Sequence, residues 1–368
     1  MRNSKRILLS VLCFLLTFAL IAGLSLGLYY GSEILIIMDA NLRASLAGSL
    51  DRLMIGSSHA WYGFAPAIFD ERLHSSTYNL SGGVFPMYAK RYFLEKELGR
   101  NPLKVVYIEL SDDTLTRTNE RDYAEGDEIA IARLDSWGER LSYMRQFLRF
   151  EDCVNVYSRA LLRGFQAAAA ILRGKSTMDY AARGYYAKSG TDVSMTPDEA
   201  ERSRGVDRIS PADYRPENIE QLTALLQICR DADVQPVIVV LPVSDKHLWK
   251  TEGEEDCRLW LESFCREQGC PFYDFNLLRD RYELFSDKES FRDGGHLCSR
   301  GAETFTAVFA DLMEKAERGE NIDGCFFDSY DELLRQSPGS ISVTRTPKRR
   351  VSWARHSLQP SMACLEAV

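Results

Sequence analysis

Short apolar runs punctuate this chain, and segments with helical spacing lie between them. The first run of the globular part is Leu53-Met54-Ile55, followed at once by Gly56-Ser57-Ser58. Three further runs read as buried strands: Thr77-Tyr78-Asn79-Leu80, Val105-Val106-Tyr107-Ile108-Glu109-Leu110 and Pro236-Val237-Ile238-Val239-Val240-Leu241. A fifth is Pro271-Phe272-Tyr273. Apolar runs of this kind suit strands covered on both faces, as in a parallel sheet. Helical patterns separate them at Tyr88 to Leu98, Pro216 to Asp231, Asp256 to Gln268 and Gly301 to Arg318. Alternation of strand and helix predicts an α/β fold with a mainly parallel sheet.

Three stretches depart from the alternation. Near the N-terminus, Arg2, Lys5 and Arg6 precede an uncharged, mostly apolar run from Ile7 to Tyr30. As a helix that run spans roughly 36 Å, enough to cross a hydrocarbon core of about 30 Å. The basic flank predicts a cytoplasmic N-terminus, with Glu33 onward outside. A cleaved signal peptide is the competing reading, with Gly23-Leu24-Ser25 near a possible cleavage site, although the apolar run exceeds the usual signal core. Both readings put the remaining chain outside the cytoplasm. The second stretch, 114–215, is rich in Arg, Tyr and Ala, with helical segments such as Leu161 to Leu172. We expect an inserted helical cap, where substrate selection would sit, against the alternative of an insertion that only adds bulk. The third is the tail, 331–368, where from Ser337 onward Arg345, Lys348, Arg349, Arg350 and Arg355 are opposed only by Glu366. That composition predicts disorder and a solvated charge run. The organisation is then an anchor (1–32), a connector (33–50), an α/β domain (51–113 and 216–330), the cap and the tail.

Charge and cysteine content narrow the function. A net charge of -8 over 368 residues argues against a nucleic-acid partner, because phosphate binding needs a concentrated basic face rather than an acidic average. Of nine cysteines, Cys13 lies in the apolar run. Cys257, Cys265, Cys270 and Cys298 cluster in sequence, and an exported location would permit pairing among them. Their spacings match no zinc pattern, and neither a metal nor a cofactor is implied.

Two motifs carry chemistry. Gly56-Ser57-Ser58-His59 falls where the first strand ends, a place that exposes a serine hydroxyl near a helix N-terminus and its backbone N–H groups. Asp293-Gly294-Gly295-His296 precedes the last helix, and an Asp three residues before a His can hold the imidazole through Nδ1, freeing Nε2 to accept a proton from a serine. His59, His74, His247 and His356 lack such a partner, though His59 adjoins the candidate nucleophile and could line the pocket. Each motif alone is also a common turn. A parallel sheet could bring both to one edge.

Together these motifs resemble the SGNH, or GDSL-type, hydrolase superfamily over about Leu53 to Leu312. The resemblance implies a flavodoxin-like three-layer α/β/α sandwich, with Ser58 as nucleophile, His296 as general base and Asp293 as the carboxylate that orients it. Ser57 stands where the family usually has Asp, as in the membrane-anchored D-alanyl transfer proteins of teichoic acid modification, which this chain also resembles. Asn79-Leu80-Ser81-Gly82-Gly83 occupies the second family block, so the N–H of Gly82 or Gly83, with that of Ser58, would form an oxyanion hole. In the third block, Leu110-Ser111-Asp112-Asp113 departs from Gly-x-Asn-Asp, and an ionised Asp112 cannot donate to an oxyanion. Ser57, His59, Asn79, Asp112 and Asp113 are candidate pocket residues. The expected activity is that of an extracytoplasmic serine esterase or O-acyltransferase acting on acetyl or alanyl groups of a cell-envelope polysaccharide or teichoic acid. The resemblance further implies a multi-pass membrane O-acyltransferase as a partner. The contrasting expectation is a catalytically inactive glycan-binding envelope module on the same fold.

Overall fold

The computed structural model describes residues 2–32, 43, 45–111, 113–117, 124–173 and 180–336. Most of the expected connector, the tail from 337 onward and Asp112 lie outside the described residues.

Five strands form the central sheet: β1 (Arg52–Ile55), β2 (Thr77–Asn79), β3 (Val105–Glu109), β4 (Gln235–Val240) and β5 (Phe272–Asp274). Their order is β2-β1-β3-β4-β5, and every pairing is parallel. The helices that matter for packing are α1 (Arg2–Ser32), α2 (Ser58–Gly63), α3 (Pro66–Leu73), α4 (Met87–Leu98), α5 (Pro216–Asp231), α6 (Glu254–Gln268) and α7 (Ser299–Glu317). Successive strand residues point to opposite faces. Leu53, Ile55, Val106, Ile108 and Ile238 pack with Phe93 of α4, Leu222 and Leu225 of α5, and Leu261 of α6. Met54, Tyr107, Val237 and Val239 pack with Ala60 of α2, Phe69 of α3, and Phe305, Phe309 and Leu312 of α7. The spacing of those last three places one apolar stripe of α7 on the sheet. The result is the expected three-layer α/β/α sandwich. The chain leaves β1 for β2 on one face and returns to β3 on the other, so a topological switch point lies at the carboxyl end of β1.

The stretch 114–215 is an insertion whose two ends are tied together. Asn218 Nδ2 donates to the carbonyls of Leu115 (3.2 Å) and Arg117 (3.0 Å), and Arg215 N–H donates to Leu115 O (2.9 Å). It is more than a cap over the strand ends. Ile129, Ile131, Tyr143 and Met144 join the same core as Phe93, and the Tyr92 and Tyr143 rings meet edge to face at 5.3 Å. Burying them completes the apolar cover around α4, which the short sheet alone could not supply. The hairpin of Tyr180–Ala182 and Tyr185–Tyr186 lies at the edge of β2, where Asn79 N–H donates to Arg183 O (3.0 Å).

Among the described residues, one helix is long and apolar enough to cross a membrane: Ile7–Leu24 of α1 has a mean hydropathy of 2.8 and none of it is buried. A single-pass anchor or a signal sequence would have this character. The helix Phe150–Leu172 runs alongside it. At the other end, the folded part passes the expected boundary at 330. Tyr330–Arg335 is a helix, because Tyr330 and Leu333 fill an apolar cluster with Val243, Leu248 and Leu277. The Tyr330 hydroxyl also donates to Asp274 (2.7 Å). Cys257, Cys265, Cys270 and Cys298 are buried thiols outside any disulfide.

The helix Ala124–Ala132 presses its backbone against the loop that follows β2. A Cβ on Gly126 would stand 2.1 Å from the Val84 carbonyl oxygen. Gly126→Ala should therefore cost about 1–3 kcal/mol through overpacking. Thermal unfolding should show a lowered Tm, whereas Gly324→Ala, with open space around its Cβ, should leave Tm nearly unchanged.

Candidate active site

The turn after β1 is shaped by a buried carboxylate. A Cβ on Gly56 would meet Glu109 Oε2 at 2.4 Å and Glu109 Cβ at 2.6 Å, so glycine is needed where the turn crosses the end of β3. Glu109 Oε2 accepts the Ser57 N–H at 2.5 Å. Ser57 Oγ then accepts the His59 N–H at 3.2 Å, which caps α2. Ser57 is buried and serves as this cap, so it does not line the pocket as expected. Burial pushes the Glu109 carboxyl up against the opposing pull of Lys90 and the Ser57 bonds. Burial also pushes the Lys90 amine down, to about 8, against the opposing pull of Glu109. Ser58 opens α2, where its N–H has no intrahelical acceptor.

Asp293-Gly294-Gly295-His296 forms a tight loop just ahead of α7. Asp293 Oδ1 accepts from His296 Nδ1 (2.7 Å), His296 N–H (3.0 Å) and Gly295 N–H (3.1 Å). Ser244 holds the Gly294 carbonyl through its N–H (3.0 Å) and hydroxyl (2.8 Å). Burial would raise the Asp293 carboxyl, but the bond to His296, its charge and the two backbone N–H groups outweigh burial and hold it at about 2. With Nδ1–H donated to Asp293, His296 Nε2 is the acceptor nitrogen. It stands 2.7 Å from Ser58 Oγ. Ser58, remote in sequence, thus joins the neighbouring Asp293 and His296 in one hydrogen-bonded line.

The loop after β2 separates the two glycines. Gly82 N–H donates to Gly56 O (3.3 Å) and is spent. Gly83 N–H has no acceptor among the described residues. The insertion supports this loop: the buried Arg133 donates to Ser81 O (2.5 Å), and its guanidinium lies 5.4 Å from the Trp61 ring centroid.

The other expected pocket residues divide. Asn79 is fully buried, with its amide donating to Ala60 O (2.7 Å) and Phe64 O (3.0 Å) and its oxygen accepting Ser81 N–H (3.1 Å). It clamps the end of α2 and is not available to a substrate. His59 stands edge-on to His296, ring centroids 4.8 Å apart. Asp113 is about half exposed and is held by Ser111 Oγ (3.0 Å) and Arg117 Nε (2.9 Å) within its own loop.

Three residues of the corner around Tyr62, beside His296, were not anticipated. The Tyr62 ring meets the His296 ring edge to face at 5.6 Å. Arg292 lies 5.0 Å and Lys188 5.8 Å from the Tyr62 ring centroid. Tyr62 follows Ser58 by one helical turn and so shares its face, a signal legible in the spacing. Arg292 precedes Asp293 directly. Lys188 comes from the insertion, and no motif marks it.

No protein-family profile matches the chain, and no curated protein matches it. Among solved structures, the chain is similar to a provisionally named acylhydrolase from Bacteroides fragilis: TM-score 0.36, 11% identity, 75% of this chain and 94% of that one. A provisionally named lipolytic protein of the G-D-S-L family from Desulfitobacterium hafniense gives TM-score 0.33 and 11% identity over 71% of this chain and 98% of the other. A provisionally named platelet activating factor from Streptococcus pneumoniae gives 0.38 and 12% over 77% and 92%. At such TM-scores the likenesses carry no argument about activity, and the site rests on its own geometry.

Proposed function

We propose that the chain is a serine esterase or O-acyltransferase with Ser58 as nucleophile, His296 as general base and Asp293 as its orienting carboxylate. The observation that carries the reading is the hydrogen-bonded line from Asp293 through His296 to Ser58 Oγ. In the first half-reaction Ser58 Oγ attacks an ester carbonyl while its proton passes to His296 Nε2. The tetrahedral intermediate collapses, the alcohol leaves with that proton, and the acyl group stays on Ser58. In the second, His296 takes a proton from water or an acceptor hydroxyl, whose oxygen attacks the acyl carbon and releases Ser58 with the proton returned. The N–H groups of Ser58 and Gly83 are our assignment for the oxyanion donors.

The membrane-sized α1 and its basic flank support an extracytoplasmic, membrane-tethered setting. In that setting the natural substrates would be acetyl or alanyl esters of a cell-envelope polysaccharide or teichoic acid. A multi-pass membrane O-acyltransferase would fit as the supplier of acyl groups.

A fluorophosphonate should label the intact protein at Ser58, and Ser58→Ala should abolish labelling. A folded protein that takes up no probe would speak for the non-catalytic glycan-binding alternative. His296→Ala should lower p-nitrophenyl acetate turnover by roughly a thousandfold or more with Tm nearly unchanged. A large fall in Tm instead would make the Asp293–His296 turn a structural device. Because Asp293 is held at about 2, below the ordinary carboxyl value of 3.8, its stabilising contribution is fully present above about pH 4 and lost as pH falls toward 2. The carboxyl carbon of Asp293, followed by NMR, should show no titration above about pH 3, and an inflection between pH 4 and 6 would contradict the assignment.

A further inference from the structure

We propose that the outward sides of two successive helices of the insertion, Trp137–Phe147 and Phe150–Leu172, rest in the interfacial layer of the membrane that α1 crosses. The proposal rests on the membrane-tethered reading and adds a second contact with the bilayer, made by the folded domain itself.

Outside α1, seven large apolar side chains are exposed among the described residues, and five of them fall between 137 and 162. They are Trp137, Leu141, Phe150, Val154 and Leu162, with exposures from 50% to 85%. Trp137 and Leu141 are four apart in one helix, and Phe150 and Val154 are four apart in the next, so each pair shares a face. Only Leu148 and Arg149 separate the two helices. Other positions of the same helices already serve the protein: Tyr143, Met144 and Val156 are buried in the core that contains Phe93. Each helix thus carries apolar groups inward and a second set outward. Apolar side chains gathered in this way mark an interaction surface rather than the scattered exposure common to any protein.

The occupant is indicated by α1. The helix Phe150–Leu172 runs alongside it, and the apolar segment Ile7–Leu24 of α1 is not buried by protein. A bilayer that surrounds α1 therefore reaches the neighbouring helix as well. The sequence agrees, since Leu161 to Leu172 carries one charge, Arg163. Tryptophan has an apolar ring with one polar N–H and gathers at headgroup depth. The Arg140 guanidinium lies 5.0 Å from the Trp137 ring centroid, and the exposed Arg145 follows Leu141 by one turn. Arginine stems of this kind lie along apolar surface while the guanidinium reaches toward lipid phosphate. Trp, Leu and Phe flanked by Arg are the side chains of a helix that lies in the interface plane. The insertion also holds the loop after β2 through Arg133. Docking its outward side would set Ser58 at a fixed height over the bilayer, within reach of esters on membrane-attached molecules.

The test reconstitutes the full chain into liposomes of phosphatidylcholine and phosphatidylglycerol, with or without bromine on the acyl chains, and reads tryptophan emission. The Trp137 contribution is the difference between the chain and its Trp137→Phe variant. Brominated lipid should quench that contribution about twofold or more. Leu141→Asp with Phe150→Asp should remove most of the quenching, whereas Leu259→Asp, at an exposed position of α6, should leave it unchanged. The substituted positions are all exposed, so an unchanged Tm in detergent separates lost docking from lost folding. An unquenched Trp137, or quenching that survives the double variant, overturns the proposal. Light scattering in detergent identifies a different occupant: a dimer that the double variant converts to monomer, with Trp137 unquenched, assigns the surface to a second copy of the chain. Flotation of the liposomes after a carbonate wash separates docking from anchoring. A chain that floats with Trp137 unquenched keeps the α1 anchor and loses the docking surface. A chain that carbonate strips, although Trp137 was quenched before the wash, keeps the docking surface and loses the anchor.

Discussion

The 2.7 Å hydrogen bond between Ser58 Oγ and His296 Nε2 joins residues from the first strand's end and the last long helix's start, and most of the surrounding structure serves to place its two ends. On the serine side, the buried Glu109 carboxylate holds the Ser57 N–H, so α2 begins with Ser58 at its half-buried first position. On the histidine side, one oxygen of Asp293 takes the ring N–H and two backbone N–H groups, which sets tautomer and orientation together. Neither end has freedom to drift without breaking a buried or multiply shared bond. A proton-transfer pair requires that kind of restraint, because small displacements are costly in rate.

Placing a carboxylate and an amine in the core beneath the serine turn carries a desolvation cost. Burial drives Glu109 and Lys90 toward their neutral forms, and their mutual attraction offsets that only in part. A hydrophobic pair would pack there more cheaply, but it could not accept the Ser57 N–H. The insertion makes a comparable contribution on the other wall. Arg133 is buried against Trp61 to hold the Ser81 carbonyl, and the close approach of Gly126 to Val84 fixes the loop that presents Gly83. Stretch 114–215 thus adds to the core, braces the loop after β2 and carries Lys188 to the rim.

Much of the sheet was legible in the chain. Short, mainly apolar runs marked all five strands, because a strand covered on both faces has no alternating polar face. The helices α4 to α7 followed from their spacing to within a few residues. Ser58, His296 and Asp293 were legible too, since a glycine-bounded turn after a strand and an Asp three residues before a His are local patterns.

Other assignments depended on contacts between segments remote in sequence. Asn79 and Ser57 read as pocket residues, yet one clamps α2 and the other caps it, because a short polar side chain carries no mark of whether it will meet backbone or solvent. The separation of Gly82 from Gly83 needed the Gly56 carbonyl, which the fold brings to only one of them. The basic corner at Tyr62 needed Lys188 to travel back from the insertion. By itself the sequence determined the strands, the main helices and the residues able to do acyl chemistry, because periodicity and short motifs are local properties. Only the tertiary structure decided which N–H groups stay unspent, which polar residues are structural and where the cations gather, because each depends on which remote segments meet.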